Sequence, residues 1–179
     1  MSSESEQNIA DKYRARLTAA GWLEDVAGAD FATGVNALVK INSLQNYGII
    51  VSGDYGCGKT SFVKAAISGI RTVNCTIPEQ VGYLDWENYR ESIREMMDVN
   101  ILIDDLGAER IKNNFGSRED LVGDFICRYH LYGKGRLFIT TNLRGEEILE
   151  RYGGRVLSRL KDLCVPIKFK GADKRVWKL

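Results

Sequence analysis

Short continuous apolar runs alternate along this chain with stretches in which apolar residues recur every three to four positions. That pattern predicts buried strands joined by amphipathic helices. The strands are Ile49-Ile50-Val51, Thr72–Thr76, Val99–Asp105, Leu137–Asn142 and Val165–Phe169, the last read as an edge strand because it alternates and contains Pro166. After a polar start read as disordered, Ile9, Tyr13, Leu17 and Ala20 mark a helix that Gly21 stops. Val35, Leu38, Val39 and Ile41 mark a second from Asp30 to Leu44, beyond a loop over Trp22–Ala29. Phe62, Val63, Ala66 and Ile67 form the inner stripe of a helix from Thr60 to Gly69, and Trp86, Tyr89, Ile93 and Met97 that of a helix from Asp85 to Met97, an aromatic face that reads as core. Gly107–Gly116 reads as loop, Ser117 with Asp120 as a capping box before a helix carrying Leu121, Val122, Phe125, Ile126 and Tyr129, and Gly133-Lys134-Gly135 as a turn. Glu146–Tyr152 is a further helix, broken at Gly153-Gly154 and resumed over Arg155–Lys161.

The first of these strands runs into the most informative stretch. Asn46–Thr60 contains Gly53, four residues, then Gly58-Lys59-Thr60, with an amphipathic helix immediately behind. Glycines let the backbone curl around a phosphate with its N–H groups turned inward, and the helix aims its positive end at the same charge. This is the pattern of a phosphate-binding P-loop, or Walker A motif, and it makes Gly53, Asp54, Tyr55, Gly56, Cys57, Gly58, Lys59, Thr60 and Ser61 candidate nucleotide-binding residues. Lys59 is suited to the β and γ phosphates, and the Thr60 hydroxyl to a magnesium ion. Cys57, beside Lys59 and a helix start, is expected to be a reactive thiol whose alkylation blocks nucleotide binding.

A second motif follows 45 residues after Lys59. Val99–Asp105 is almost wholly apolar and ends in two carboxylates, at the carboxyl end of a strand where open α/β sheets bind ligands. It reads as a Walker B element, with Asp104 on the metal and Asp105 placed to polarise an attacking water. Asp105 is one methylene shorter than the glutamate usual at that place. Asn142, at the polar tip of Leu137–Asn142, is a candidate for orienting that water. Arg155 and Arg159 stand four apart on one helix face, where they can reach a phosphate on another subunit or be solvated.

Composition changes the picture little. With 179 residues and 44% apolar content, one domain with a full core is expected. No apolar run suits a membrane span, and Met1-Ser2-Ser3-Glu4-Ser5-Glu6 is acidic where a secretory signal would be basic and then apolar, so a cytoplasmic location is expected. Cys57, Cys75, Cys127 and Cys164 are scattered, and with the single His130 they support neither zinc nor a disulfide scaffold. His130 reads as a helix-end residue rather than a catalyst. The net charge of +1 divides unevenly: Arg144–Leu179 carries ten Lys/Arg against five Asp/Glu. That basic end suits an anionic partner such as nucleic acid, and a solvated surface accounts for it about as well.

Ile103-Asp104-Asp105-Leu106-Gly107-Ala108-Glu109, Phe138-Ile139-Thr140-Thr141-Asn142-Leu143 and Tyr152-Gly153-Gly154-Arg155-Val156-Leu157-Ser158-Arg159-Leu160 resemble, in that order, the DnaC-type helicase loaders and IstB-like transposition helpers among the AAA+ ATPases. The resemblance spans Asp30 to Phe169. It implies a P-loop NTPase three-layer α/β sandwich with a five-stranded parallel sheet in the order 5-1-4-3-2, and an ATPase using ATP and Mg2+. It further implies that Asn142 is the sensor residue, that Arg159 is an arginine finger with Arg155 beside it, and that single-stranded DNA is a ligand. Head-to-tail self-association and a helicase or transposase partner follow on the same ground; no membrane partner does. Two departures stand out. Only an N-terminal arm, residues 1–29, precedes the ATPase domain, 30–179, and no clear C-terminal helical lid follows the last strand, leaving Lys174 or Arg175 as substitutes for the lid's sensor residue. The shorter Asp105 and the missing lid equally suit an ATP-dependent binding switch or adaptor with little hydrolysis. A small-molecule kinase is disfavoured, because no arginine-rich lid segment is present.

Overall fold

The computed structural model describes residues 3–22, 27–44, 47–70, 72–75, 97–109, 112–114, 117–171 and 173. Among the described residues, the helices α1 (Ser3–Ala19), α2 (Ala29–Ser43), α3 (Lys59–Ala66), α4 (Leu121–Tyr132) and α5 (Gly145–Leu163) surround strands β1 (Gly48–Ser52), β2 (Thr72–Cys75), β3 (Asn100–Leu106), β6 (Leu137–Thr141) and β7 (Cys164–Lys168). These strands form one sheet in the order β2-β3-β6-β1-β7, every neighbouring pair parallel.

Strands with both faces covered need apolar residues at successive positions, and the sheet uses them to bury alternate residues on opposite sides. Ile101, Ile103, Leu137 and Ile139 face α4 and α5, packing with Phe125, Ile126, Ile148, Val156 and Leu160. Leu102, Phe138, Ile49 and Val51 face α1, α2 and α3, packing with Leu17, Phe31, Leu38, Phe62 and Val63. β1 pairs with β6 on one side and β7 on the other, so the loop that leaves it emerges inside the sheet, with strands flanking it on both sides. β7 occupies the edge, where Pro166 removes no needed ladder bond.

At Gly48 the neighbouring strand lies so close that an added Cβ would collide with the Leu137 carbonyl oxygen. Gly48→Ala is therefore expected to cost about 1–3 kcal/mol, because backbone cannot move aside as a side chain would. A denaturant midpoint equal to the parent's would contradict this.

Several elements differ from the sequence reading. The polar start is helical from Ser3, and α1 runs on to Ala19; its Leu17 is fully buried, while the Arg16 guanidinium donates to the Ala66 carbonyl oxygen at 3.0 Å. Trp22 lies outside helix and strand, as read, and is buried against Phe31, Phe62 and Phe169 with ring centroids 5.0–6.2 Å away. The segment read as loop contains β4 (Lys112–Asn114), paired antiparallel with β5 (Ser117–Glu119). Ser117 is consequently in a strand, and the cap of α4 is Asp120, whose carboxylate accepts from Gly123 N at 2.8 Å. The helix behind the P-loop ends at Ala66, short of Gly69. α5 contains the expected break, with Gly153 at φ 82°, ψ 167°. The helix read over Asp85–Met97 lies, apart from Met97, outside the described residues, as do Lys174 and Arg175.

Candidate functional site

Among the described residues, the polar and charged residues buried as a whole are Asp30, Lys59, Asp104, Thr140 and Thr141. Burying such groups is costly unless each is hydrogen-bonded, so their positions mark where polar chemistry is maintained. Four of the five gather at the carboxyl ends of β3 and β6 and the start of α3.

The loop after β1 turns through Gly56 at φ 74° and Gly58 at φ 97°, a left-handed backbone that side-chain-bearing residues rarely adopt. α3 begins directly afterwards at Lys59. Left-handed turns followed by a helix start make a concave set of inward N–H groups, which suits an oxyanion of a phosphate. The Lys59 ammonium lies across this loop, donating to Gly53 O at 2.9 Å, Asp54 O at 2.8 Å and Asn142 Oδ1 at 2.7 Å. Asn142 in turn donates through Nδ2 to Asp105 Oδ1 at 2.8 Å. Thr60 Oγ1 donates to Asp104 Oδ1 at 2.8 Å, and Lys64 Nζ stands 3.8 Å from Asp104 Oδ2. A hydroxyl and a carboxylate oxygen so placed are the hard donors a magnesium ion takes alongside phosphate oxygens and water, so Thr60 and Asp104 fit that ion.

The two carboxylates of β3 stand next to each other on the strand and take different partners, and the strand is irregular where they sit. Its register against β6 shifts between Ile103 and Leu106, and Asp105 sits at φ 64°, at a cost of roughly 1 kcal/mol or more for a non-glycine residue. Thr140 holds the distortion: its hydroxyl donates to Asp104 Oδ1 at 2.6 Å and accepts from Asp105 N at 2.8 Å. Thr141 closes the other side, donating to Leu106 O at 2.7 Å and accepting from Leu143 N at 3.0 Å. Sequence reasoning missed both threonines. Their signal was two hydroxyls ending an otherwise apolar strand, one residue before Asn142.

It also missed Asp30. This carboxylate accepts from Lys170 N at 3.0 Å and Gly171 N at 2.8 Å, fixing the chain after β7 across the sheet end. Phe169 then backs Gly53, and the Asp173 carboxylate lies against Gly56, where an added Cβ would collide with it.

The structure thus brings Lys59, Thr60, Asp104, Asp105 and Asn142 into one bonded network around the loop of Gly53, Gly56 and Gly58. Asp54 and Tyr55 are exposed at the loop's tip, whereas Ser61 is turned away, donating to Gly58 O at 2.8 Å and accepting from Trp22 Nε1 at 3.2 Å. Cys57 is fully buried, with Lys59 Nζ 3.9 Å from its sulfur, so packing shields the thiol that the sequence marked as reactive. Arg159 pairs with Asp162 at 3.6 Å and Arg155 is exposed; neither bonds to the network. His130, in the last turn of α4, faces the same Asp162 at 3.3 Å.

No protein-family model matches the chain, and no curated protein matches it. Among solved structures, it is similar to the crystal structure of the DnaC helicase loader, with a TM-score of 0.60 and 18% identity over 80% of this chain and 92% of that one. The resemblance to the DnaC-type loaders read from the three motifs is therefore met by a likeness of fold. A signal-transduction ATPase of the STAND group with a tetratricopeptide repeat sensor, PH0952 from Pyrococcus horikoshii, matches at a TM-score of 0.43 and 19% identity, covering 76% of this chain and 22% of that one. No helix among the described residues is long and apolar enough to cross a membrane.

Proposed function

We propose that the protein binds ATP with Mg2+, hydrolyses it, and works on or with DNA as a head-to-tail assembly, with residues 30–179 as an AAA+ core. The observation that carries the reading is the bonded line Lys59, Asn142, Asp105 beside the pair Thr60 and Asp104, all at the end of parallel strands. In this reading the loop from Gly53 to Ser61 cradles the phosphates, Thr60 and Asp104 hold the metal, Asp105 polarises water and Asn142 orients it. Arg159, with Arg155 beside it, supplies charge to a neighbour's pocket. The structurally similar DnaC is a helicase loader, which supports DNA and a helicase or transposase as partners. A steady-state ATPase assay with and without single-stranded DNA is the direct test: Mg2+-dependent turnover that DNA stimulates supports the reading, and absence of any nucleotide binding ends it.

A second reading, an ATP-dependent switch or adaptor with little hydrolysis, has its own observation. Asp105 is a short carboxylate already engaged by Asn142. Tight ATP binding without turnover, unchanged by DNA, would select it.

Two expected outcomes follow. Asp105→Asn keeps the shape and can still accept from Asn142, so ATP should bind normally while hydrolysis falls by about 10²–10⁴-fold, the usual worth of a general base. Asp104→Asn should instead raise the magnesium concentration required. Parent-like turnover in both variants would remove the two carboxylates from these roles.

Arg144, Arg155, Lys161, Lys168 and Lys170 are exposed along the basic end. Single-stranded DNA binding through them should weaken steeply with salt, as counterion release requires, at a log–log slope of about −0.7 per phosphate contacted. No binding at low salt with ATP present would favour a protein-only partner.

A further inference from the structure

Glu109 is a charged residue in the loop beyond β3, a place where a carboxylate is ordinarily solvated. Its side chain is only 8% exposed. One oxygen, Oε2, accepts from Gly107 N at 2.9 Å on its own loop. The other, Oε1, accepts from the Tyr152 hydroxyl and from Arg151 Nε at 3.3 Å, and Arg151 Nη2 also donates to the Glu109 carbonyl oxygen. Burial and the adjacent Glu109 carboxylate push the Tyr152 phenol well above its ordinary range, so it stays protonated and keeps donating.

The position of this cluster gives it consequence. Arg151 and Tyr152 form the turn of α5 immediately before Gly153, where helical geometry is interrupted. Across that break no continuous helical ladder fixes the direction of the second half. Its orientation depends on the packing of Val156 and Leu160 and on where the first half ends. On the other side, Glu109 lies four residues after Asp105, and Gly107 between them is packed so closely on Leu143 that an added Cβ would press into that side chain. Leu143 follows Asn142. The loop that follows Asp105 and the end of β3 is therefore pinned to the end of the helix segment that leads to Arg159.

We propose that Glu109, gripped by Arg151 and Tyr152, is a positioning residue that sets the second half of α5, and with it Arg159, relative to the nucleotide site. This rests on the reading of Arg159 as a residue acting on a neighbouring subunit. A misplacement of about 1 Å in such a group costs on the order of a hundredfold in rate.

The test uses mixed assemblies of full-length chains. Lys59→Ala subunits offer a finger without a pocket, Arg159→Ala subunits a pocket without a finger, and their mixture is the control, expected to recover activity that neither has alone. Glu109→Gln and Tyr152→Phe are each expected to bind ATP within about threefold of the parent and to hydrolyse it at least about tenfold more slowly. Mixed with Lys59→Ala, they should recover activity; mixed with Arg159→Ala, they should not exceed the sum of the parts. A merely structural defect would not divide the two mixtures in this way. Should Glu109→Gln fail to fold, Tyr152→Phe, which keeps the ring, carries the test alone. Parent-like rates, lost ATP affinity, or recovery with Arg159→Ala in place of Lys59→Ala would overturn the proposal while the control still recovers. A flat control from subunits shown to co-assemble would overturn the reading of Arg159, and this proposal with it.

Discussion

Lys59→Ala is expected to lower ATP affinity by about a hundredfold or more and to leave turnover undetectable at ordinary ATP concentrations, the scale seen when one preorganised donor is removed from a charged site. Lys59 is buried at 7% exposure, and its ammonium holds together Gly53 O, Asp54 O and Asn142 Oδ1. Removing it does two things. The positive charge facing the phosphates is lost, and two loop carbonyls and an amide oxygen are left as unpaired acceptors, which repel an anion in place of attracting it. Asn142 would also be free to turn away from Asp105, so any residual binding should lack hydrolysis. Fluorescence titration with a labelled ATP analogue measures the first effect and a phosphate-release assay the second. Parent-like values in both would end the assignment of this loop to nucleotide.

How much of this was visible in the residues depends on which physical scale decided each feature. The apolar run Ile49-Ile50-Val51 with the glycine spacing behind it is local chemistry, and the strand and the start of the helix fall within one residue of where the pattern placed them. Asp104 and Asp105 were likewise legible as carboxylates ending a buried strand. The irregularity at Asp105 was not, because it depends on Thr140 reaching across from β6, a pairing that no window around Asp105 contains. β4 and β5 escaped for a different reason: Lys112-Asn113-Asn114 and Ser117-Arg118-Glu119 show neither the alternation nor the β-branched residues that announce a strand. Asp120 took the cap from Ser117 because the hairpin uses Ser117 for pairing with Asn114. Nothing in the sequence marked Glu109 or Asp30 as buried. Their burial follows from donors 42 and about 140 positions away, distances at which sequence patterning is silent.

Arg159→Ala is expected to bind ATP as the parent does and to hydrolyse it about a thousandfold more slowly, the lower end of what an arginine finger contributes. Binding should survive because Arg159 contributes nothing to its own pocket: its partner is Asp162 at 3.6 Å, and its side chain is 35% exposed. An exposed pair of this kind is worth at most about 1 kcal/mol, so the guanidinium can leave Asp162 at little cost once a neighbour's phosphate is within reach. Asp162→Ala should accordingly leave hydrolysis unchanged or slightly faster. Arg159→Lys should recover only part of the lost rate, since a point charge lacks the planar fork that meets two phosphate oxygens at once. On the proposed reading, in which the group acts across a boundary, specific activity of the parent should rise with protein concentration until the assembly is complete, whereas that of Arg159→Ala should stay low throughout. An Arg159→Ala variant that hydrolyses like the parent would pass the role to Arg155, and one that loses ATP binding would place Arg159 in its own pocket and remove the cross-subunit geometry.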